Sequence, residues 1–360
     1  MKILHLITTL ENGGAEKQLV ILARNQHKLG EQVSVAPIKG SLELKKDFTS
    51  ANVGILDNLR NVNFLKQIFI LRKILKAEHF DLLHLHLPRA EILGSLASFG
   101  LGVRLFATRH NAEKFYPNAP RFLSSWFSRL CLLRINNIIS ISKSVERFLV
   151  ENKELRKNSN LRIIFYGFDE NIEVKTPPKS LQDSRLLTRF VMVARLAPQK
   201  NIHTAIRAFA RYHNTNPNGI LEIYGVGNQF IELVELVQDL QISNSVFFRG
   251  RSNEISRVLE SSQCLILSSR YEGFGLILLE AMQAGLPLLC ARNSAIIEVL
   301  GLEHPGFFET FNEAELAIKM LDLNNPTKYS ANADYSRNRL VHFNPMWTAR
   351  ETIDFYNSGG

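Results

Sequence analysis

The stretch Ser268–Leu288, SSRYEGFGLILLEAMQAGLPL, joins a predicted strand to a predicted helix through a glycine-rich turn. The apolar run Cys264–Ser268 is typical of a buried strand, and Leu276–Ala284 is typical of a helix. Glu272 lies in the turn, and Glu280 lies one to two turns inside the otherwise apolar helix. In an open α/β sheet such a turn lies at the carboxyl end of a strand, where ligands bind.

The turn and the helix offer complementary groups to a ligand. Backbone N–H groups near Gly273, Phe274 and Gly275 can point at a phosphate or at sugar hydroxyls. A carboxylate on a buried helix needs a hydrogen-bond partner. The vicinal hydroxyls of a ribose or a buried salt bridge would each satisfy Glu280, and the residues alone leave both open.

Strands and helices alternate along the whole chain, which predicts parallel sheets covered by helices. The fold class is therefore α/β, with two tandem Rossmann-like domains facing a central cleft. We expect a first domain over 1–170, a linker over 171–188 that contains Pro177-Pro178, and a second domain over 189–340. The segment 341–360 is predicted to be a helix that packs back towards the first domain.

The bulk properties indicate a globular protein of 360 residues with an uneven charge. Residues 1–170 hold 25 Lys+Arg against 15 Asp+Glu, a net +10, whereas residues 171–360 hold 18 against 19, a net −1. A basic half suggests an acidic partner such as phosphate groups or an anionic membrane. Three scattered cysteines, no transmembrane run and no signal-peptide pattern predict a cytoplasmic location.

Other glycines and cations also fall at predicted strand ends. Gly13 and Gly14 follow the first strand and open the first helix, where N–H donors can meet an anion; a plain tight turn is the alternative. They do not form GxGxxG, so a nicotinamide site is not indicated. Arg195 and Lys200 follow the first strand of the second domain and could hold a diphosphate. Solvated surface charge is the alternative for this pair.

Three histidines lie near strand ends in the first domain. His84 and His86 share one face of a strand, as a metal pair would, but no further ligand set completes a site in the sequence. We therefore expect no metal. His110 directly follows a predicted strand and is the better functional candidate, with a satisfied structural histidine as the alternative.

Together these residues resemble the retaining glycosyltransferases of family four, which have the GT-B architecture. The most specific piece is the E-x7-E motif EGFGLILLE, from Glu272 to Glu280. Weaker pieces occur in the family's order: GGAE at 13–16, TRHN at 108–111, ISIS at 139–142, YGFD at 166–169 and VARLAPQKN at 193–201. The resemblance covers nearly the whole chain.

The resemblance implies roles for residues at the matching positions. Arg195 and Lys200 would hold the donor diphosphate, Glu280 the nucleotide ribose and Glu272 the donor sugar. The backbone of the 273–275 turn would meet the sugar and phosphate, and Gly14 would close over the phosphate. The histidine near the reacting sugar would be His110. The base would rest near Gly225, Arg249 and Arg251.

The chain departs from the family in two places. Tyr166 stands where the family commonly has Asn. In the register of the family's later GG-x-P-E pattern the chain has Ser294-Ala295-Ile296-Ile297-Glu298, which keeps the glutamate but neither the glycines nor the proline. These departures bear on donor-sugar specificity more than on the fold.

The implied activity is metal-independent, retaining transfer of a hexose from a nucleotide-diphosphate sugar. No Asp-x-Asp is present to hold a divalent ion, so the cations and turn amides would neutralise the leaving diphosphate. The family is thought to use same-face attack through an oxocarbenium-like state. Family frequency favours UDP over GDP.

The acceptor is indicated by two basic, apolar segments. Arg60–Ala77 carries five cations and no acid, and Phe115–Arg134 is basic and aromatic. Both resemble helices that lie on an anionic membrane, although packing on the sheet would equally explain their apolar residues. We expect a peripheral enzyme with a glycan acceptor, lipid-linked, in bacterial surface polysaccharide assembly. No motif supports nucleic-acid binding.

Three competing functions stay open. A UDP-sugar epimerase of the same architecture would release a free sugar nucleotide. A non-catalytic partner subunit would have no need of Glu272, Glu280, Arg195, Lys200 and His110 together. A soluble glucan synthase would leave the basic segments unexplained.

Overall fold

The computed structural model describes residues 1–113, 128–130, 133–175 and 189–359, which form two compact units. The first comprises Met1–Gly167 and Phe343–Gly360, and the second comprises Phe168–His342. Each unit is built on a parallel β-sheet packed against helices. The predicted fold class of two Rossmann-like α/β domains is confirmed.

The first unit has a seven-stranded sheet in the order β3-β2-β1-β4-β5-β6-β7. Its strands are β1 (Lys2–Ile7), β2 (Gln32–Pro37), β3 (Gly54–Ile55), β4 (Leu82–His86), β5 (Arg104–Arg109), β6 (Asn137–Ser140) and β7 (Asn160–Ile163). The helices described here are α1 (Gly14–Lys28), α2 (Lys45–Ser50), α3 (Phe64–Glu78), α4 (Pro88–Ala97), α5 (Lys143–Glu151) and, from the end of the chain, α13 (Pro345–Ser358). Because β1 and β4 start the two series of strands that diverge across the sheet, the switch point lies between them.

The register of the central strands places three histidines together. His5 of β1 is paired with His84 of β4, and His86 is paired with Thr108 of β5. Since alternate residues of a strand share a face, His84 and His86 lie on the side of the sheet that His5 also uses. The sequence strand pattern contained these positions, but only the strand order brings His5 beside the other two.

The last helix, α13, belongs to the first unit and packs against α1. Phe355 and Tyr356 are buried there and contact the ring of Phe106 on β5. Trp347 is half exposed. The helix thus covers part of the sheet and contributes apolar side chains to the core of the first unit.

The second unit has a six-stranded sheet in the order β10-β9-β8-β11-β12-β13. Its strands are β8 (Arg189–Val193), β9 (Ile220–Tyr224), β10 (Val246–Gly250), β11 (Cys264–Leu267), β12 (Leu288–Ala291) and β13 (Phe307–Phe308). The helices are α6 (Ile202–His213), α7 (Phe230–Asp239), α8 (Ile255–Glu260), α9 (Leu276–Gln283), α10 (Ser294–Leu300), α11 (Glu313–Asp322) and α12 (Pro326–Arg339). The switch point lies between β8 and β11, so the loops that follow these two strands flank the expected ligand crevice.

The second unit begins at Phe168, before the interval 171–188 that composition indicates as a linker. Gln283, at the end of α9 and 1% exposed, donates from its side chain to the backbone oxygens of Asp169 and Ile172. The N–H of Lys175 donates to the oxygen of Gln283 at 2.7 Å. Residues 171–175 are therefore packed on the second unit, a contact that composition does not reveal. Pro177-Pro178 lie outside the described residues.

The structure describes the first of the two basic segments in full and the second only in part. Most of Phe115–Arg134 lies outside the described residues, which include only 128–130, 133 and 134 of it. In α3 the apolar residues lie on two sides of the helix: Leu71 and Leu75 are buried, whereas Leu65 is 67% and Phe69 72% exposed. A helical period of 3.6 separates the two groups because positions four apart stay on one side. In the described part of the chain, no helix is long and apolar enough to cross a membrane.

Candidate active site

Two loops of the second unit are tied together at the switch point. The loop after β8 contains a short 3-10 turn, Pro198–Lys200, and the loop after β11 contains the Arg270–Gly275 turn. The N–H of Arg270 donates to the oxygen of Gln199 at 2.8 Å, and the Ser268 hydroxyl donates to the oxygen of Lys200 at 2.9 Å. These bonds fix the two loops relative to each other, so the side chains they carry keep a defined geometry.

Lys200 and Glu272 meet between these loops. The Lys200 Nζ lies 2.6 Å from Glu272 Oε1, and the side chains are 18% and 8% exposed. The sequence predicts both as site residues, and the structure brings them together as an ion pair. A charge-assisted hydrogen bond of this length holds the ammonium in one place, with further donors left for another acceptor.

The glycine-rich turn leads directly into α9. Gly275 is the residue before the helix and has a φ of +89°, a conformation that a residue with a Cβ adopts only with strain. Phe274 is buried, which anchors the turn in the core of the unit. Glu280 lies in the middle of α9 and is half-buried. The turn and the first half of the helix therefore present backbone N–H groups and a carboxylate at one sheet edge.

The loops after β8 and β9 approach each other at backbone distance. A Cβ on Gly225 would lie 1.9 Å from the oxygen of Ala194, and one on Gly227 would lie 2.1 Å from the oxygen of Leu196. The N–H of Leu196 donates to the oxygen of Val226 at 3.0 Å. Only glycine allows this contact, so Gly225 and Gly227 shape the crevice by bringing two loops together.

The three predicted arginines lie at carboxyl ends of strands but differ in surroundings. Arg195, after β8, and Arg251, after β10, are exposed. Arg249, on the edge strand β10, pairs with the buried Glu222 at 2.8 Å and lies over the ring of Phe247. Burial raises the pKa of Glu222, but hydrogen bonds from Arg189 and Arg249 outweigh it, so this pKa lies below its ordinary value. Arg249 thus has a structural partner as well as its predicted place near a base.

In the first unit, the glycines after β1 give room to a carboxylate. Gly13 precedes α1, and Gly14 is the first residue of that helix. A Cβ on Gly13 would lie 2.3 Å from Glu16 Oε2. The Glu16 carboxyl accepts a 2.8 Å hydrogen bond from the Thr9 hydroxyl, and burial raises its pKa. The loop is therefore a compact turn around an acid, at the helix terminus where the sequence predicts anion binding.

His110 follows β5 and contacts His86 and Tyr166. Its Nε2 lies 2.9 Å from Nδ1 of His86, and its Nδ1 shares a short hydrogen bond with the Tyr166 hydroxyl. Burial lowers the pKa of His110 to about 3. The side chains of His86, His110, Tyr166 and Thr108 line a cavity of about 30 Å³ within the first unit. His110 is accordingly a neutral imidazole at this edge of the sheet.

His5 joins His84 and His86 in a group that the sequence did not indicate. Ligand-type atoms of the three rings lie within 4.8 Å of one another, and all three side chains are buried. Burial lowers the pKa of His5 to about 4 and that of His84 and His86 well below the ordinary value. The expectation that nothing completes the His84–His86 pair overlooked the neighbouring strand.

Comparisons with known proteins account for both units. Residues 12–171 match the family model "Glycosyltransferase Family 4", and residues 178–338 match "Glycosyl transferases group 1". The chain is a glycosyltransferase of the GT-B fold.

Relatives whose names state an activity have low sequence identity to this chain, but they align with it over about 70% of its length. This glycosyltransferase is 26% identical over 262 residues to N-acetyl-alpha-D-glucosaminyl L-malate synthase of Bacillus anthracis, covering 69% of this chain and 67% of that one. It is 27% identical over 278 residues to the UDP-Gal:alpha-D-GlcNAc-diphosphoundecaprenol alpha-1,3-galactosyltransferase of Escherichia coli, covering 73% and 71%. Among solved structures, Anabaena Alr3699/HepE in complex with UDP and glucose matches with a TM-score of 0.82 and 20% identity, over 99% of this chain and 100% of that one.

Several residues of the glycosyltransferase's sheet edges escaped the sequence argument. Gly227 and Glu222 carry no motif of their own, and only their spatial neighbours give them a role. His5, Gln26 and Tyr356 come from β1, α1 and α13 and meet in one hydrogen-bonded group. A signal did exist for His5, because a polar residue inside the apolar strand KILHLI needs a buried partner.

Proposed function

We propose that this glycosyltransferase moves a hexose from a nucleotide-diphosphate sugar, with UDP favoured, to a lipid-linked glycan acceptor in bacterial surface polysaccharide assembly. Transfer is metal-independent and retains the anomeric configuration. The observation that carries the proposal is the Lys200–Glu272 ion pair at the switch point of the second unit. A cation and a carboxylate held together there can meet the phosphate and the sugar of one donor molecule.

The donor occupies the crevice of the second unit. Lys200 and Arg195 contact the diphosphate, with the N–H groups of the 273–275 turn as further donors. Glu280 accepts from the ribose hydroxyls, and Glu272 orients the sugar. Gly225 and Arg251 lie beside the base, together with Arg249. The family models and the UDP named for the Anabaena neighbour support this assignment.

The reaction follows from the charges around the leaving group. Positive charge from Lys200 and Arg195 stabilises the departing diphosphate, which is the role a divalent ion plays in other transferases. The acceptor hydroxyl attacks from the same face, and the departing phosphate oxygen takes its proton. Gly14, at the amino terminus of α1, adds N–H donors from the first unit.

The acceptor side rests on the charge of the first half and on α3. Leu65 and Phe69 are exposed beside the cations Lys66, Lys73 and Lys76. Apolar side chains that insert at the headgroup level, flanked by cations, are the pattern of a helix on an anionic membrane. The Escherichia coli relative, whose acceptor is a lipid diphosphate by its name, supports this choice.

A thermal-shift panel tests the donor site. UDP, GDP, ADP and CMP are each added to the wild type, Glu280→Ala and Lys200→Ala, and each melting temperature is compared with that of the same variant without nucleotide. A nucleotide at about 100 times its Kd stabilises by about 2.7 kcal/mol. For a unit of this size that corresponds to a rise of roughly 5–10 °C.

Matched controls are Lys328→Ala and Glu235→Ala, which lie on exposed helix faces of the same unit. We expect UDP to raise the melting temperature of the wild type and both controls, and to leave Glu280→Ala and Lys200→Ala unchanged. If UDP still raised the melting temperature of both Glu280→Ala and Lys200→Ala, the donor would bind elsewhere than in this crevice. Absence of any shift in the wild type would favour the non-catalytic partner over the enzyme.

A further inference from the structure

A continuous row of hydrogen bonds crosses the first unit. Eight side chains are joined by seven hydrogen bonds, in the order Tyr166, His110, His86, His5, Gln26, Tyr356, His84 and Thr108. The six links beyond the Tyr166 contact measure 2.9, 3.0, 2.8, 3.2, 2.5 and 2.7 Å. Both ends of the row, Tyr166 and Thr108, line the same cavity.

The row has a single direction because each neutral imidazole has one donor and one acceptor nitrogen. The Gln26 carbonyl oxygen accepts from Nε2 of His5, and its amide nitrogen donates to the Tyr356 hydroxyl. His5 then accepts at Nδ1 from His86, and His86 accepts at Nδ1 from His110. Every imidazole in this series carries its proton on Nε2.

The far end of the row is set by Tyr166. Because Nε2 of His110 donates to His86, its Nδ1 is the acceptor nitrogen, and the Tyr166 hydroxyl donates to it. Burial raises the pKa of this phenol, so the hydroxyl keeps its proton. The family commonly has Asn at this position, and the tyrosine therefore gives this chain a hydroxyl donor there. Both nitrogens of His110 are engaged by protein groups.

We infer that this row is a positioning device which holds His110 as the neutral Nε2–H tautomer and keeps both of its nitrogens away from the acceptor hydroxyl. His110 is then no general base. It offers the substrate a fixed ring surface, and deprotonation falls to the departing phosphate. Gln26, three hydrogen bonds away from His110 along the row, acts through His5 and His86 as a positioning residue. The consequence for the reaction rests on the proposed function, whereas the tautomer does not.

A metal site is the competing explanation for the three central histidines. All six ring nitrogens of His5, His84 and His86 have hydrogen-bond partners. A metal ion would have to break these contacts, and each imidazole would lose the partner that sets its tautomer. The hydrogen bonds therefore favour the row over a metal centre.

Two carboxylates act on the row at its two tyrosines, and the Arg104 guanidinium donates to the backbone oxygen of Tyr356. Glu16, on α1, acts on Tyr166, and Glu31, after the same helix, acts on Tyr356. Burial is the largest influence on every histidine in the row, and it lowers each pKa. At neutral pH the row is consequently uncharged in the folded protein.

Nitrogen NMR on the full-length chain tests the tautomer directly. The protein is labelled with ¹⁵N-histidine, and two-bond ¹H–¹⁵N correlations are recorded at pH 7. His304 is the internal reference, because the backbone N–H of Gly306 donates to its Nδ1 and fixes it as Nε2–H. The His110 signal is identified by its loss in His110→Gln.

We expect His5, His84, His86 and His110 all to show the pattern of His304. In Gln26→Glu the carboxylate can no longer donate to Tyr356, so we expect His84 alone to change to the Nδ1–H form. A protonated or Nδ1–H His110 in the wild type would overturn the proposal without any variant being needed.

Kinetics separate positioning from base catalysis. A general base contributes about 10²–10⁴-fold to the rate, so its removal by either Ala or Gln should be equally severe. A glutamine amide can replace the Nε2–H donor to His86. We therefore expect His110→Gln to keep kcat/KM within about tenfold of the wild type while His110→Ala loses about 10²-fold, and the pH profile of His110→Gln to keep the wild-type shape.

The NMR and kinetic experiments distinguish failure of the inference about His110 from failure of the proposed function. Equal loss in the two His110 variants, or a pH limb present in the wild type and absent from His110→Gln, would overturn the conclusion that His110 is no base. No transfer from any sugar nucleotide by the wild type, with the expected NMR pattern intact, would reject the proposed function and leave the tautomer assignment standing.

Discussion

Removing the Lys200 ammonium should destabilise the second unit through the carboxylate it leaves behind. Glu272 is 8% exposed and its Oε1 lies 2.6 Å from Lys200 Nζ. In Lys200→Met the aliphatic stem keeps most of its packing, so the change isolates the charge. Without its cation the Glu272 carboxylate stays in a site that excludes most of the water able to solvate it.

The magnitude follows from the burial of each partner. Breaking a buried pair by removing one partner costs about 3–5 kcal/mol. Since Lys200 is 18% exposed, water recovers part of that cost, and we expect about 3 kcal/mol. The second unit spans Phe168–His342, and for a unit of that size 1 kcal/mol lowers the melting temperature by about 2–4 °C. The predicted fall is therefore about 6–12 °C.

A double-mutant cycle with Glu272→Gln gives the test its precision. Glu272→Gln alone leaves a lysine that can reach solvent, and we expect it to cost only about 1 kcal/mol. The double variant lacks the stranded carboxylate, so it should resemble Glu272→Gln and give a coupling energy of about 3 kcal/mol. Differential scanning calorimetry of the nucleotide-free protein measures all four forms.

Lys328→Met is the matched control, because Lys328 pairs with Asp322 on the surface with exposures of 58% and 37%. It should lower the melting temperature by no more than about 2 °C. If Lys200→Met changed the melting temperature as little as Lys328→Met, the buried pair would contribute nothing to stability. Additive effects in the double variant would show that Lys200 and Glu272 do not interact.

Three further predictions concern other parts of the molecule. Gly225→Ala should lower the free energy of unfolding by about 3 kcal/mol, because its Cβ would lie 1.9 Å from the oxygen of Ala194. Gly250→Ala, with a φ of +68° and no atom within 4 Å of its Cβ, should lower it by only about 1 kcal/mol. Urea unfolding of the two variants measures both values, and equal losses would contradict the close approach at Gly225. Leu65→Ser/Phe69→Ser should weaken binding to phosphatidylglycerol vesicles by about tenfold or more in co-sedimentation, whereas the equally exposed Ile231→Ser/Leu302→Ser should not; equal binding by both would exclude α3 as the membrane surface. Acid should destabilise the first unit as pH falls from about 6.5 to about 4, because histidines in the unfolded state then become protonated while His5 and His110 in the folded state stay neutral. The free energy of unfolding should fall by up to about 1.4 kcal/mol per pH unit for each such histidine. A melting temperature of that unit that stays flat over this range would show that the buried histidines accept protons in the folded state.

The edge of the second sheet was predictable because several local signals agree there. Strand, turn and helix follow one another around Glu272, and the rule that ligands bind at carboxyl ends of strands needs no side-chain contacts. The same rule placed Arg195 and Gly225 at this edge. What it could not give was the partner of each side chain, because Lys200 and Glu272 are 72 residues apart in the chain.

What the sequence left open in α3 and in the linker has a common physical origin. The sequence of α3 shows that its residues are apolar, but which of them are buried depends on which neighbour covers the helix. Leu71 and Leu75 face the sheet, and Leu65 and Phe69 do not. Likewise the polar stretch after Phe168 has the composition of a linker, yet the amide of Gln283 holds its first residues in place.

The histidine row shows where a sequence argument could have gone further. His5, His84 and His86 each interrupt an otherwise apolar strand, and a buried polar group must find a hydrogen-bond partner. Because a parallel sheet can place these strands side by side, three buried histidines on them predict a shared hydrogen-bond network from the sequence alone. The identity of the remaining members, Gln26 on α1 and Tyr356 on the last helix, depends on packing over sequence separations of up to 330 residues. The network can therefore be anticipated from the strands, whereas its direction, and with it the tautomer of His110, is decided by a glutamine that carries no motif.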